Sequence, residues 1–291
     1  MKGPGAKNDL RRILYSRGCI ALFIMVFGSG FPTAYAEIFK FESKTGLQSY
    51  TATIGGELSL PPGRGPFPVV ILLHACGGLD PTGKASLSAH AQSLTKVGFA
   101  TYILDSFSAR GLTADKVCNR GGEASEFRLD DLFNAREALR KHPKIDTAKV
   151  FVVGQSHGAT VALSAAVNLN KREPFRAIAA FYPSCRSVLL SVGLRSPAIV
   201  FAGAKDDWTP VSSCEQAQKN DRTSGEEFEL IIYPDAYHGF DQQRRMTKYL
   251  GHVMAYDKQA AANSRIKMLE FFRRHMRDEP PGASSASSGS R

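Results

Sequence analysis

Six short runs along the chain are built almost wholly from apolar residues: 68–74, 99–104, 149–153, 177–182, 197–202 and 228–233. Each is too short for a helix and reads as a strand buried on both faces. Between them, segments 86–97, 125–141, 157–168, 212–220 and 258–276 carry apolar residues at helical spacing. Strand and helix therefore alternate, which predicts a mostly parallel sheet with helices on both faces, joined by right-handed crossovers. Upstream, residues 39–60 alternate in polarity and predict two or three antiparallel strands at a sheet edge. No internal repeat or break in composition divides residues 37–278, which read as one α/β domain. The end of the chain, 279–291, is rich in Ser, Gly, Pro and Ala and predicts a disordered tail.

The first 36 residues stand apart. Lys2, Lys7, Arg11, Arg12 and Arg17 precede the apolar run from Cys19 to Phe27, and Ala34 and Ala36 fit a small-residue cleavage site. This is the pattern of a signal peptide cleaved after Ala36, which predicts a secreted or periplasmic protein. The apolar run is far shorter than the ~20 residues needed to span a bilayer, so no stable membrane anchor is expected. The leader carries five basic residues and one acidic residue, so its removal lowers the net charge from +10 to +6. The remaining basic residues are scattered and form no run interleaved with aromatics, which argues against a nucleic-acid partner.

Of five cysteines, Cys19 belongs to the leader. Cys76, Cys118, Cys185 and Cys214 remain, an even number suited to two disulfides in an oxidising compartment. Three pairings are possible, and the one joining neighbouring loops is Cys76 with Cys118 and Cys185 with Cys214. No Cys-x-x-Cys or Cys-x-x-His spacing is present, so no metal site is predicted.

Gly154, Gln155, Ser156, His157 and Gly158 match G-x-S-x-G. A pattern this short arises by chance in such a chain with a probability of about 0.1. Its context gives it weight, because an apolar strand precedes it and an Ala/Val/Leu-rich helix follows. At such a corner a serine hydroxyl is held above the carboxyl end of the sheet. A serine needs a base to take its proton, and the base needs a partner to orient it. Asp206 and Asp207 follow the 197–202 strand, and His238 follows the 228–233 strand beside Gly239. The chain order is then Ser, Asp, His. Asp235 is close enough to His238 to shape the turn instead. His74 reads as loop-shaping, and His90 and His142 are expected on helices with solvent exposure. His252 lies near the last helix with no strand before it. An oxyanion hole requires two backbone N–H donors. His157 supplies one, and Cys76, in the small-residue loop after the first buried strand, is the candidate for the other.

The segments 73–78 (LHACGG), 104–111 (LDSFSARG), 154–159 (GQSHGA), 203–210 (GAKDDWTP) and 237–240 (YHGF) together resemble the dienelactone hydrolase family of the α/β-hydrolase superfamily. The resemblance implies an eight-stranded, mostly parallel sheet, hydrolysis of a carboxylic ester or lactone without cofactor or metal, and a triad of Ser156, Asp206 and His238. Founding members use a cysteine nucleophile where this chain has Ser156, so the dienelactone substrate is not implied. Arg110 is placed to bind a substrate carboxylate or to form a loop salt bridge. The expected partner is a small-molecule or polymeric ester. Two other readings stand beside this one: a prolyl-oligopeptidase-like peptidase, which shares the triad order, and a non-catalytic binding protein on the same fold.

Overall fold

The computed structural model describes residues 35–45, 50–119, 123–167, 172–186, 193–220 and 226–276. The predicted tail, and the leader up to residue 34, lie outside these residues. Strands β1 (Tyr35–Thr45) and β2 (Tyr50–Leu60) form an antiparallel pair. Tyr35 and Ala36 pair with Leu60 and Ser59, at one end of that ladder. Then follow β3 (Phe67–Leu73), α1 (Pro81–Thr95), β4 (Ala100–Asp105), a 3-10 turn at Ser108–Arg110, α2 (Ala114–Cys118) and α3 (Glu123–Leu139). The second half contains β5 (Ile145–Gln155), α4 (His157–Val167), β6 (Ala177–Phe181), β7 (Ala198–Gly203), α5 (Ser212–Asn220) and β8 (Phe228–Tyr233). A hairpin of β9 (Thr247–Tyr249) and β10 (His252–Met254) precedes α6 (Lys258–Arg274).

The main sheet has eight strands in the order β1-β2-β4-β3-β5-β6-β7-β8. Only the pairings made by β2 are antiparallel; all others are parallel. The continuous apolar runs are explained by burial on both faces. Val69, Ile71 and Leu73 of β3 point into a core shared with α3 and α4, whereas Val70 and Leu72 point into a second core built with α1 and α6. β5 divides the same way, with Val150 and Val152 on one side and Phe151 and Val153 on the other.

Helix α1 begins at Pro81, five residues before the periodic pattern suggests, because Asp80 caps it. The Asp80 carboxylate accepts from the Gly83 N–H at 2.6 Å, and proline at the first helical position lacks an N–H to satisfy. Two expectations for histidines fail here. His90 is fully buried on the row of α1 shared with Leu87, Ala91 and Leu94, where it meets a buried carboxylate. His142 falls beyond the end of α3 and lies 3.2 Å from Glu37 on β1.

Disulfides join Cys76 to Cys118 and Cys185 to Cys214 across 42 and 29 residues. Loops of this length correspond to roughly 4 kcal/mol of stabilisation each on the chain-entropy account. Among the described residues no helix is long and apolar enough to cross a membrane.

Candidate active site

The chain leaves β3 towards α1 on one face of the sheet and leaves β5 towards α4 on the other. The crevice beyond the carboxyl ends of β3 and β5 is therefore a topological switch point, where α/β sheets bind ligands. The loop carrying Cys76 and the turn carrying Ser156 open into it. Together with Tyr182, Trp208, His238 and Arg244 they line a cavity of about 160 Å³.

Ser156 occupies a tight corner between β5 and α4 with φ 51°, a left-handed conformation unusual for a residue with a side chain. Its N–H donates to Phe181 O at 2.9 Å, and its carbonyl accepts from Thr160 N at 2.9 Å. The flanking glycines permit the close approaches this corner requires. A Cβ on Gly154 would lie 2.4 Å from Gly158 O, and one on Gly158 would lie 2.5 Å from the carbonyl oxygens of both Leu73 and His74. The result is a nearly buried serine whose Oγ stands 2.9 Å from His238 Nε2.

His238 follows β8, and its Nδ1 lies 2.8 Å from Asp206 Oδ2. Asp206 Oδ1 accepts from the N–H groups of Trp208 and Thr209, both at 2.9 Å, and Oδ2 accepts from the Thr209 hydroxyl at 2.8 Å. Burial raises the pKa of Asp206, but the bonds from His238 and Thr209 outweigh it, and the carboxyl is held below its ordinary value. An ionised Asp206 accepts from Nδ1–H, which leaves the Nε2 lone pair facing Ser156. Asp206, not Asp207, thus reaches the imidazole. Asp207 accepts from Val253 N at 3.2 Å and lies 3.4 Å from His252 Nδ1, and Asp235 pairs with Lys205 at the surface.

His157 follows the serine in the chain, and Cys76 lines the same cavity. His157 is the first residue of α4, where backbone N–H groups have no partner inside the helix. Among the described residues, neither its N–H nor that of Cys76 donates to another group of the chain.

Several residues around this centre had no role in the sequence reading. Asp241 is fully buried and accepts from His90 Nε2 and Gln155 Nε2, each at 2.7 Å, and from the Tyr182 hydroxyl at 2.6 Å. Burial raises its pKa, yet these donors leave it below the ordinary carboxylate value. The network ties Gln155, beside the nucleophile, to Tyr182, whose ring meets the His238 ring edge-on at 4.8 Å. Trp208 covers His238 from another side at 5.0 Å and stacks on His252 of β10 at 4.9 Å. Arg110 makes a two-pronged pair with Asp131, both contacts at 2.8 Å, so its loop role is that of a salt bridge. Proximity of Asp241 to the His238 motif was the one available signal for that residue; Trp208 announced itself only as a neighbour of Asp206.

The sequence pattern of the dienelactone hydrolase family matches residues 54–276. Dienelactone hydrolase from Anabaena variabilis superposes with a TM-score of 0.62 at 18% identity, covering 83% of this chain and 99% of the other. A dienelactone hydrolase-like promiscuous phosphotriesterase from metagenomic libraries gives 0.64 at 20% identity, covering 82% and 98%. Pyrococcus horikoshii acylaminoacyl peptidase gives 0.59 at 14% identity, covering 85% of this chain and 43% of the peptidase. These likenesses show the α/β-hydrolase fold. Among curated sequences, mouse acyl-coenzyme A amino acid N-acyltransferase 1 is 32% identical over 119 residues, 40% of this chain and 25% of that protein. The match thus spans about a quarter of the length of that relative. With the family pattern running from β2 to the end of α6, the chain belongs to the dienelactone hydrolase family.

Proposed function

We propose that the protein is an exported serine hydrolase that cleaves small carboxylic esters or lactones through an acyl-enzyme. Ser156 Oγ attacks the carbonyl carbon while His238 Nε2 takes its proton, and Asp206 steadies the imidazolium that forms. The carbonyl oxygen becomes an oxyanion held by the N–H groups of Cys76 and His157, a contribution typically worth about 3 kcal/mol per donor. His238 returns the proton to the departing alkoxide. A water molecule, deprotonated by the same imidazole, then attacks the acyl carbon and frees Ser156.

The single observation that carries this reading is the continuous Ser156–His238–Asp206 hydrogen-bonded line, with contacts of 2.9 and 2.8 Å inside a lined cavity. A cavity of about 160 Å³ favours small acyl groups, because pockets for drug-sized ligands generally exceed about 300 Å³. The leader pattern and two disulfides support export.

A panel of p-nitrophenyl acetate, butyrate and octanoate beside the matching anilides tests the reading. Faster turnover of acetate and butyrate than of octanoate, with slow anilide cleavage, is expected. Preferential anilide cleavage would instead support a peptidase, and inertness towards the whole panel would contradict hydrolysis of this kind.

A further inference from the structure

We propose that Arg128 positions the oxyanion hole, its buried guanidinium bracing the two segments that carry the Cys76 and His157 amides and setting a fixed positive charge behind them. The inference rests on those amides being the oxyanion donors.

Arg128 lies on α3 on the core-facing row with Ala124 and Leu132, and it has no exposed surface. Its Nη1 donates to His157 Nδ1 at 2.5 Å and its Nη2 to His74 O at 2.6 Å. One bond therefore ends on the side chain of one donor residue, and the other on the carbonyl two residues before the second donor. Phe107 lies beneath the guanidinium, 5.0 Å from ring centroid to Cζ. Among the described residues no carboxylate lies within ion-pair distance of Arg128. A buried charge with no carboxylate in direct contact is costly, and an apolar side chain of similar size normally serves stability better. An oxyanion held by the Cys76 and His157 amides would add a negative charge on the side of those two segments.

The protonation states agree with this role. Burial lowers the pKa of Arg128 to about 9, against the opposing fields of Asp131 and Asp105, so it remains a cation at neutral pH. Burial, with Arg128 next, lowers His157 to about 3. His157 is thus neutral, accepts at Nδ1, and turns Nε2–H towards Ser125 Oγ at 3.0 Å. The imidazole passes the orientation of Arg128 to the start of α4 without adding a charge of its own.

The test compares wild type, Arg128→Met and Arg128→Lys in three measurements: steady-state hydrolysis of p-nitrophenyl acetate, affinity for phenylboronic acid, and thermal midpoint. The boronic acid bonds to Ser156 Oγ as the serine proton passes to His238, which places an anionic tetrahedral centre in the hole. Arg128→Met is expected to lower kcat about 100-fold, the order of losing one oxyanion donor, with KM within about twofold and boronate affinity falling in parallel. Arg128→Lys keeps the charge but loses the fork, and is expected to lose about tenfold in both quantities. If Arg128→Met does not fold, Arg128→Lys alone decides. Folded variants with wild-type kcat, or with reduced kcat but unchanged boronate affinity, overturn the proposal. A wild-type protein that neither hydrolyses the ester nor binds the boronate defeats the hydrolase reading itself.

Discussion

Replacing Gly158 by alanine adds one methyl group where helix α4 crosses the end of β3 with no room for a side chain. The new Cβ would lie 2.5 Å from the carbonyl oxygens of Leu73 and His74, whereas ordinary van der Waals contact begins near 3.4 Å. Both obstacles are backbone, at the carboxyl end of central strand β3, so no side chain can rotate away. Helix α4 and β3 must separate by about 0.9 Å, a shift comparable to the ~1 Å misplacement that costs about 100-fold in rate. Overpacking of this type destabilises by about 1–3 kcal/mol, and rigid backbone on both sides argues for the upper end. A loss of ~3 kcal/mol lowers the thermal midpoint of a domain this size by roughly 6–12 °C. Because β3 leads into the Cys76 loop and α4 starts at His157, the separation also spreads the two proposed oxyanion donors. Calorimetry with p-nitrophenyl acetate kinetics reads both effects, and Gly55→Ala serves as control, since its Cβ would meet nothing closer than 3.4 Å. A Gly158→Ala protein with wild-type midpoint and wild-type kcat would refute the reasoning.

Further outcomes are expected. Acid should destabilise the fold progressively below about pH 6.5. Burial, with Arg128 next, holds both His74 and His157 at about 3, so the unfolded chain binds more protons between those values and stability falls as pH drops. Each imidazole contributes up to about 1.4 kcal/mol per pH unit, and denaturant titrations across pH should show a shallower slope for His157→Gln. Asp206→Asn should lower kcat about 10³- to 10⁴-fold, because an amide no longer fixes the imidazole tautomer; an undiminished kcat would remove Asp206 from the mechanism. Joint replacement of Cys185 and Cys214 by alanine should cost roughly 3–4 kcal/mol in chemical denaturation while the folded protein keeps its kcat. The same replacement of Cys76 and Cys118, which border the cavity, should lower kcat as well.

The central sheet was legible because its strands are buried on both faces and therefore carry uninterrupted apolar runs. The Ser156 corner was legible because Gly154 and Gly158 are demanded by backbone contacts that tolerate no side chain. Polar residues of the interior were not. His90 and Arg128 occupy core-facing rows of α1 and α3, where periodicity expects apolar side chains, and their partners Asp241, His157 and His74 come from distant parts of the chain. The hairpin of β9 and β10 was missed for another reason. Three-residue strands produce no periodic signal, and their position depends on contacts of Asp207, Trp208 and His252 that exist only after folding. Arg110 was ambiguous until Asp131, on a different helix, came within 2.8 Å.

Mass spectrometry of the protein treated with a fluorophosphonate at neutral pH tests the central claim most directly. A single phosphonyl adduct on the peptide containing Ser156 is predicted, absent from Ser156→Ala and strongly slowed in His238→Ala, with both variants retaining the wild-type circular dichroism spectrum. An unlabelled wild-type protein, or an adduct that persists in Ser156→Ala, would contradict the account.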